Sequence, residues 1–350
     1  MPGIRTLPTL FAAIMLLASC SNGESSPPST GPGNGTSTTA EATTTTTTSA
    51  ATDPTTTTTL PFTPPFIIDP YYDYEAVLSI PVGSGGIDYR DPGLDDFLPT
   101  GPTAMTIGID GTIYLADPVG GRILGFDPAD GSPTEIDLAA LAIGPIFALD
   151  ADATGLLALE VDVRPAPPVY RAHRITGSTF TSWPLGEGLR LEDGLSGARL
   201  DDNGGIIVEL EGGLRLFSVG LDGSTPIDAI IAAGRTFAVE DRIITVDDAE
   251  IQPPATGDLG GVRLLAARPD GSWYVVQDDV VATSPIEVEQ WVRYYDPDDR
   301  LIASARVPIE ERYYVPEQSL AVGPDGEVYH LLPRRNSIDV VQLGFFSGEG

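Results

Sequence analysis

The sequence predicts an all-β fold, a β-propeller of four-stranded blades. Three observations predict it. From Phe66 onward, short β-rich runs are punctuated by Asp-Gly and related turns. The runs recur as a unit with a period of about 45 residues, the spacing of propeller blades. Helical amphipathic patterns are scarce, and the best, Ile227 to Ala233, is too short to build a layer.

The chain opens differently. Arg5 precedes an apolar stretch, Leu10 to Leu17, and the run Leu17-Ala18-Ser19-Cys20 follows. A charged start, a short apolar middle and small residues at the cut describe a secretory signal over residues 1–19. The stretch is well short of the roughly 20 residues that span a bilayer. The tetrad resembles a bacterial lipobox. That resemblance implies acylation of Cys20, a membrane anchor, and a chain facing the exterior or the periplasm.

Residues 20–65 read as a tether. Ser21 to Pro65 is Ser, Thr, Pro and Gly with few apolar residues, including the runs Thr43 to Thr48 and Thr55 to Thr59. Such a segment cannot bury enough apolar surface to offset its chain entropy, so it is expected to be disordered. As a coil, its roughly 45 residues reach on the order of 40 Å.

Composition narrows the chemistry. The formal net charge is -31, and every basic side chain is Arg. So acidic a chain repels phosphate backbones, which excludes nucleic acid as a partner. Cys20 is the only cysteine, so an acylated chain has no thiol for disulfides, zinc or nucleophilic catalysis. His173 and His330 are far apart in sequence and outside any zinc-binding spacing.

The propeller occupies residues 66–350. Its clearest unit runs from Pro99 to Ser132, with strands at Ala104 to Ile109, Thr112 to Ala116 and Arg122 to Phe126, and a fourth at Thr134 to Leu138. Asp110-Gly111 marks the first hairpin, since both turn residues must tolerate positive φ. Further units begin at Phe147, Ala198, Thr236, Leu264 and Leu320. The fourth dissolves into Asp247 to Gly261, which leaves five or seven blades as alternatives to six. The first unit resembles an NHL-type blade through Pro99, Asp110-Gly111, Tyr114-Leu115-Ala116-Asp117, Arg122-Ile123 and Phe126-Asp127. The last unit has three evident strands, and Ala76 to Pro81 is an orphan. The orphan is expected to complete the last blade and close the ring.

Candidate chemistry sits on the loops joining second and third strands. These carry Asp117, Asp162, Glu211, Asp247-Asp248 and Asp278-Asp279, with His330 and Arg334 in the last blade. Carboxylates converging on one mouth would draw a cation or an amine; the other reading is solvated charge on an acidic surface. Asp150, Asp152 and Thr154, with Gly155 sixth in the run, resemble the start of a calcium loop, although Val161 stands where that pattern needs Glu. Ca2+ is therefore the one cofactor expectation. His173 is expected at the surface. The expected function is ligand binding without catalysis, the ligand a protein, peptide or glycan. The alternative is a divalent-metal hydrolase of lactones or phosphoesters, as in the six-bladed gluconolactonase-type relatives.

Overall fold

The computed structural model describes residues 44–46, 72–83, 86–90, 99–127, 132–162, 169–185, 194–220, 223–240 and 242–347. The signal segment and Cys20 lie outside them. Six antiparallel sheets form a six-bladed β-propeller. Blade 1 holds Ala104–Ile107, Ile113–Asp117, Arg122–Phe126 and Pro133–Asp137. Blade 2 holds Ile146–Asp152, Gly155–Asp162, Val169–Thr176 and Thr179–Pro184. Blade 3 holds Leu195–Leu200, Ile206–Leu210, Arg215–Gly220 and Gly223–Ile227. Blade 4 holds Ile230–Ala232, Arg235–Glu240, Ile243–Val246 and Ala249–Ile251. Blade 5 holds Asp258–Ala267, Trp273–Thr283, Ile286–Tyr295 and Leu301–Val307. Blade 6 holds Leu320–Val322, Val328–Pro333 and Ser337–Leu343, and Tyr74–Pro81 is its outer strand.

The orphan strand therefore closes the ring. It pairs antiparallel with the third strand of blade 6, with Ile80 opposite Ile338 and Tyr74 opposite Leu343. Ser79 reinforces the seam by donating to Asp339 at 2.6 Å. The carboxyl end adds a strap, because Phe346–Ser347 pairs with the outer strand of blade 5. Within the expected tether, Thr44–Thr46 pairs with the outer strand of blade 2, Thr45 opposite Phe180. Threonine suits a strand, and the outer strand of a blade offers an unpaired backbone edge.

Aspartate builds the turn between first and second strands. Asp110 accepts the Thr112 N–H at 3.0 Å, Asp270 accepts Ser272 at 2.9 Å and Asp325 accepts Glu327 at 3.0 Å. A glycine follows each aspartate, at φ 84°, 87° and 89°. Only a residue without Cβ takes that geometry cheaply.

The apolar residues meet between blades. One cluster joins blades 1 and 2 through Ile123, Leu149 and Ala158. Others join blades 2 and 3, 5 and 6, and 6 and 1. The fifth serves three blades at once: Ile207 from blade 3, Phe237 and Ile244 from blade 4, and Trp273 from blade 5. Each fully buried Leu or Ile contributes roughly 1.5–3 kcal/mol. No single sheet can shelter its two faces, so the stack is what makes each blade stable.

Several expectations change. Asp278-Asp279 lies inside the second strand of blade 5 and His330 inside that of blade 6, not on the loops after them. Thr236 to Val239 is the second strand of blade 4, not the first. Asp247-Asp248 therefore joins third and fourth strands. The first strand, Ile230–Ala232, has only three residues and no Asp-Gly after it.

Candidate functional site

The inner strands surround an axial channel with a cavity of about 270 Å³. Thr106, Asp150, Arg199, Arg263, Gln318 and Leu320 are among its walls. Blade 4 reaches it only through Ala232.

A belt of polar links tightens the inner ring. The Thr103 hydroxyl donates to the Ile146 carbonyl at 2.6 Å, joining blades 1 and 2. The Gln318 amide, just before blade 6, bonds both backbone groups of Leu149 in blade 2, at 2.7 and 3.0 Å. Asp150 of blade 2 accepts the Leu200 N–H of blade 3 at 2.7 Å. Arg199 of blade 3 then passes blade 4 and donates to the Leu264 carbonyl of blade 5 at 2.7 Å. Its Nε pairs with Glu209.

The expected site residues fall into three groups. Asp278 and His330 are connected. Gln290 donates to Asp278 at 2.9 Å, Arg312 donates to Gln290 at 3.3 Å, and the Arg312 Nε donates to His330 Nε2 at 3.3 Å. His330 faces the Ser319 carbonyl through Nδ1 at 3.2 Å, so Nδ1 carries the proton and the ring is neutral. Burial and the Arg312 charge hold its pKa well below that of an ordinary imidazole.

Asp150 and Asp152 line the channel. Asp150 accepts Ala151 and Leu200 N–H groups at 2.8 and 2.7 Å, and burial raises its pKa. Asp152 Oδ1 accepts the Thr154 N–H at 2.6 Å and hydroxyl at 2.9 Å, and also pairs with Arg174. These contacts build a hairpin turn. A calcium ion at Asp150, Asp152 and Thr154 would have to displace them.

The remaining residues are engaged away from the channel wall. Asp117 is fully buried and closes its own hairpin, accepting from Gly120 and Arg122 at 3.0 Å each. Glu211 opens a 3-10 turn, Glu211–Gly213, and meets Arg215 at 3.4 Å. Arg334 pairs with Glu311 at 2.6 Å and Asp339 at 2.9 Å. Asp162 ends the second strand of blade 2, opposite Val169, and is half-buried.

His173 corrects the sequence expectation. It is buried, and its Nε2 lies 2.8 Å from Glu160 while Nδ1 lies 2.7 Å from the Ser182 hydroxyl. The flanking Arg171 and Arg174 suggest a surface strand, but the acid that draws this ring inward sits on the neighbouring strand. Glu160 also accepts the Gly144 N–H at 2.8 Å. Burial works against its charge, yet the bonds from His173 and Gly144 bring its pKa below the ordinary value. The row ties three strands of blade 2 to the loop arriving from blade 1.

Sequence reasoning missed Arg199, Arg263, Gln290, Arg312 and Gln318. Arg263 sits on the inner strand of blade 5 and lines the channel. Burial pushes its pKa down; the charge of Glu209, and more weakly that of Asp278, works against this, while the neighbouring Arg199 adds to it.

No family profile matches the chain, and no curated protein sequence matches it. Solved structures are similar. A member of the DUF4221 family from Bacteroides vulgatus is 11% identical, covering 79% of this chain and 99% of its own, with a TM-score of 0.48. Virginiamycin B lyase from Staphylococcus aureus is 12% identical, covering 74% and 99%, with a TM-score of 0.42. The WD40 repeats of RRP9 are 10% identical, covering 78% and 100%, with a TM-score of 0.41. The assignment of the fold rests on the sheet topology of this chain itself.

Proposed function

We propose that this chain is a lipid-anchored, surface-tethered binding propeller. Cys20 carries the acyl anchor, residues 21–65 hold the ring away from the membrane, and the ring takes an extracellular protein, peptide or glycan ligand without turning it over. The NHL-like pattern of the first blade belongs to the same reading. The observation that carries it is the axial channel. Walls from all six blades enclose about 270 Å³ of polar-lined space. That is just under the roughly 300–1,000 Å³ of pockets that engulf small molecules. It suits one end or one side group of a larger ligand.

The anchor is tested in growing cells. Globomycin treatment should accumulate the unprocessed precursor, and Cys20→Ala should abolish incorporation of a labelled fatty acid. Unchanged membrane association in Cys20→Ala would remove the anchor from the proposal. Binding is tested with the acylated chain in detergent against arrays of peptides and glycans. Lactone or phosphoester turnover that EDTA abolishes would replace this reading with metal-dependent hydrolysis.

A further inference from the structure

We infer that the channel holds a carboxylate of the ligand against the guanidinium of Arg263. The inference rests on the binding reading above and names the chemistry of its site.

The chain has 50 acidic residues against 19 basic ones, so an arginine finds a carboxylate easily. Most buried or half-buried arginines do. Arg122 meets Asp117 and Arg235 meets Asp299, at 3.0 and 2.8 Å. Arg174, Arg199, Arg306 and Arg334 are likewise paired. Arg293 lacks a carboxylate within ion-pair distance, but it bonds Ser304 at 2.8 Å and the Pro254 carbonyl at 2.9 Å, and stacks on Trp291. Arg312 bonds neutral His330, Gln290 and Ser319, each at 3.3 Å. Arg263 alone of these sheltered arginines has neither hydrogen bond nor ion pair among the described residues.

A half-buried guanidinium with neither hydrogen bond nor ion pair is only partly compensated by charges at a distance. Here the cost is concentrated on a channel wall. Five carboxylates line the cavity, and all are engaged: Glu209 by Arg199, Asp152 by Arg174, and Asp150, Asp201 and Asp202 by backbone N–H groups. Arg312 stands within electrostatic reach of Arg263, and Asp278 lies within reach of both. Gly213 has φ 93°, and a Cβ on it would stand 3.1 Å from the Arg263 Cβ. A planar fork of five N–H donors without an ion pair matches a carboxylate in bidentate geometry.

The outer charge sets a second condition. A net charge of -31 repels polyanions at long range. The favoured ligand carries one carboxylate on an otherwise neutral or basic body. A peptide carboxyl terminus and a sugar acid share that chemistry.

The test uses the full acylated chain in detergent at fixed ionic strength. Probes are acetyl-glycyl-glycine, its carboxamide, glucuronate and inorganic phosphate. The expected result is a concentration-dependent rise in Tm with a carboxylate probe and none with the carboxamide. Preference between acetyl-glycyl-glycine and glucuronate identifies the source. Arg263→Gln should lower affinity about tenfold or more, as loss of a charge-assisted bidentate pair implies, and Arg263→Lys should recover part of it. A measurement on the unaltered chain guards against a variant that does not fold: the carboxylate should protect Arg263 from phenylglyoxal and leave exposed Arg242 labelled. Equal response to acid and carboxamide, a response to phosphate alone, or unprotected Arg263 would overturn the inference. If peptides or glycans still bind under those results, the binding reading survives it; if no ligand class binds, that reading falls as well.

Discussion

Blade 5 and blade 4 are neighbours built on different scales. The strands of blade 5 hold 10, 11, 10 and 7 residues. Those of blade 4 hold 3, 6, 4 and 3. Blade 5 makes its own first turn with Asp270. Blade 4 has no aspartate there and borrows one: Asp202 of blade 3 accepts the Ala233 and Gly234 N–H groups at 2.8 and 2.7 Å. Nor does blade 4 take part in the inner belt, which Arg199 carries past it to blade 5. The difference teaches that a blade needs only two things to belong to the ring. It must present an apolar face to each neighbour, and its turns must find partners somewhere. Blade 4 meets both conditions with side chains from blades 3 and 5.

That dependence can be broken in graded steps. Trp273 is the main bolt. It is fully buried, stacks on Tyr295 at 4.1 Å, tilts against Phe237 of blade 4 at 5.8 Å, and donates to Asp299 at 3.0 Å. Asp299 also holds Arg235 of blade 4. Trp273→Ala should cost about 3–5 kcal/mol, measured by denaturant unfolding. A loss under about 1 kcal/mol, the size of a well-tolerated core swap, would mean that blade 4 is held by something else. Next comes the bypass. Arg199→Ala leaves Glu209 buried without its ion-pair partner, and should cost about 3 kcal/mol, the low side for a broken buried pair. Arg199→Lys should recover little of it, since a point charge cannot reproduce the fork. Smallest is the borrowed turn. Asp202→Ala should cost about 1–2 kcal/mol and speed amide exchange at Ala233 and Gly234. Unchanged exchange there would show that blade 4 supports its own turn.

What could be read from the chain followed the strength of local signals. Arg122 to Phe126 stands where the pattern put it, and Ala76 to Pro81 closes blade 6 as expected. Both lie beside clear alternation or a clear gap in the strand count. Blade 4 was obscure because its turn residues, Ala233 and Gly234, carry no signature of their own. Their aspartate lies 31 residues earlier than Ala233 in the chain. The site was partly legible for a similar reason. His330 and Asp278 stand out by residue type and do fall in one network. Arg263 and Arg312 look like every other arginine in sequence. Only the fold decides which cation is left without a hydrogen bond or ion pair. His173 was misplaced because its acid is on another strand, and a linear pattern reports strands one at a time.

The seam of the ring joins the beginning of the domain to its end, with Ser79 and Asp339 separated by 260 positions. During synthesis, Tyr74–Pro81 emerges early and waits for almost the whole domain before its partner exists. Meanwhile Ala76, Leu78 and Ile80, all buried in the finished wheel, have nowhere to go. Such distant pairing delays completion and leaves a sticky edge open to misassociation. Ring closure must therefore wait for the last blade, although the strand that completes it is made before the first.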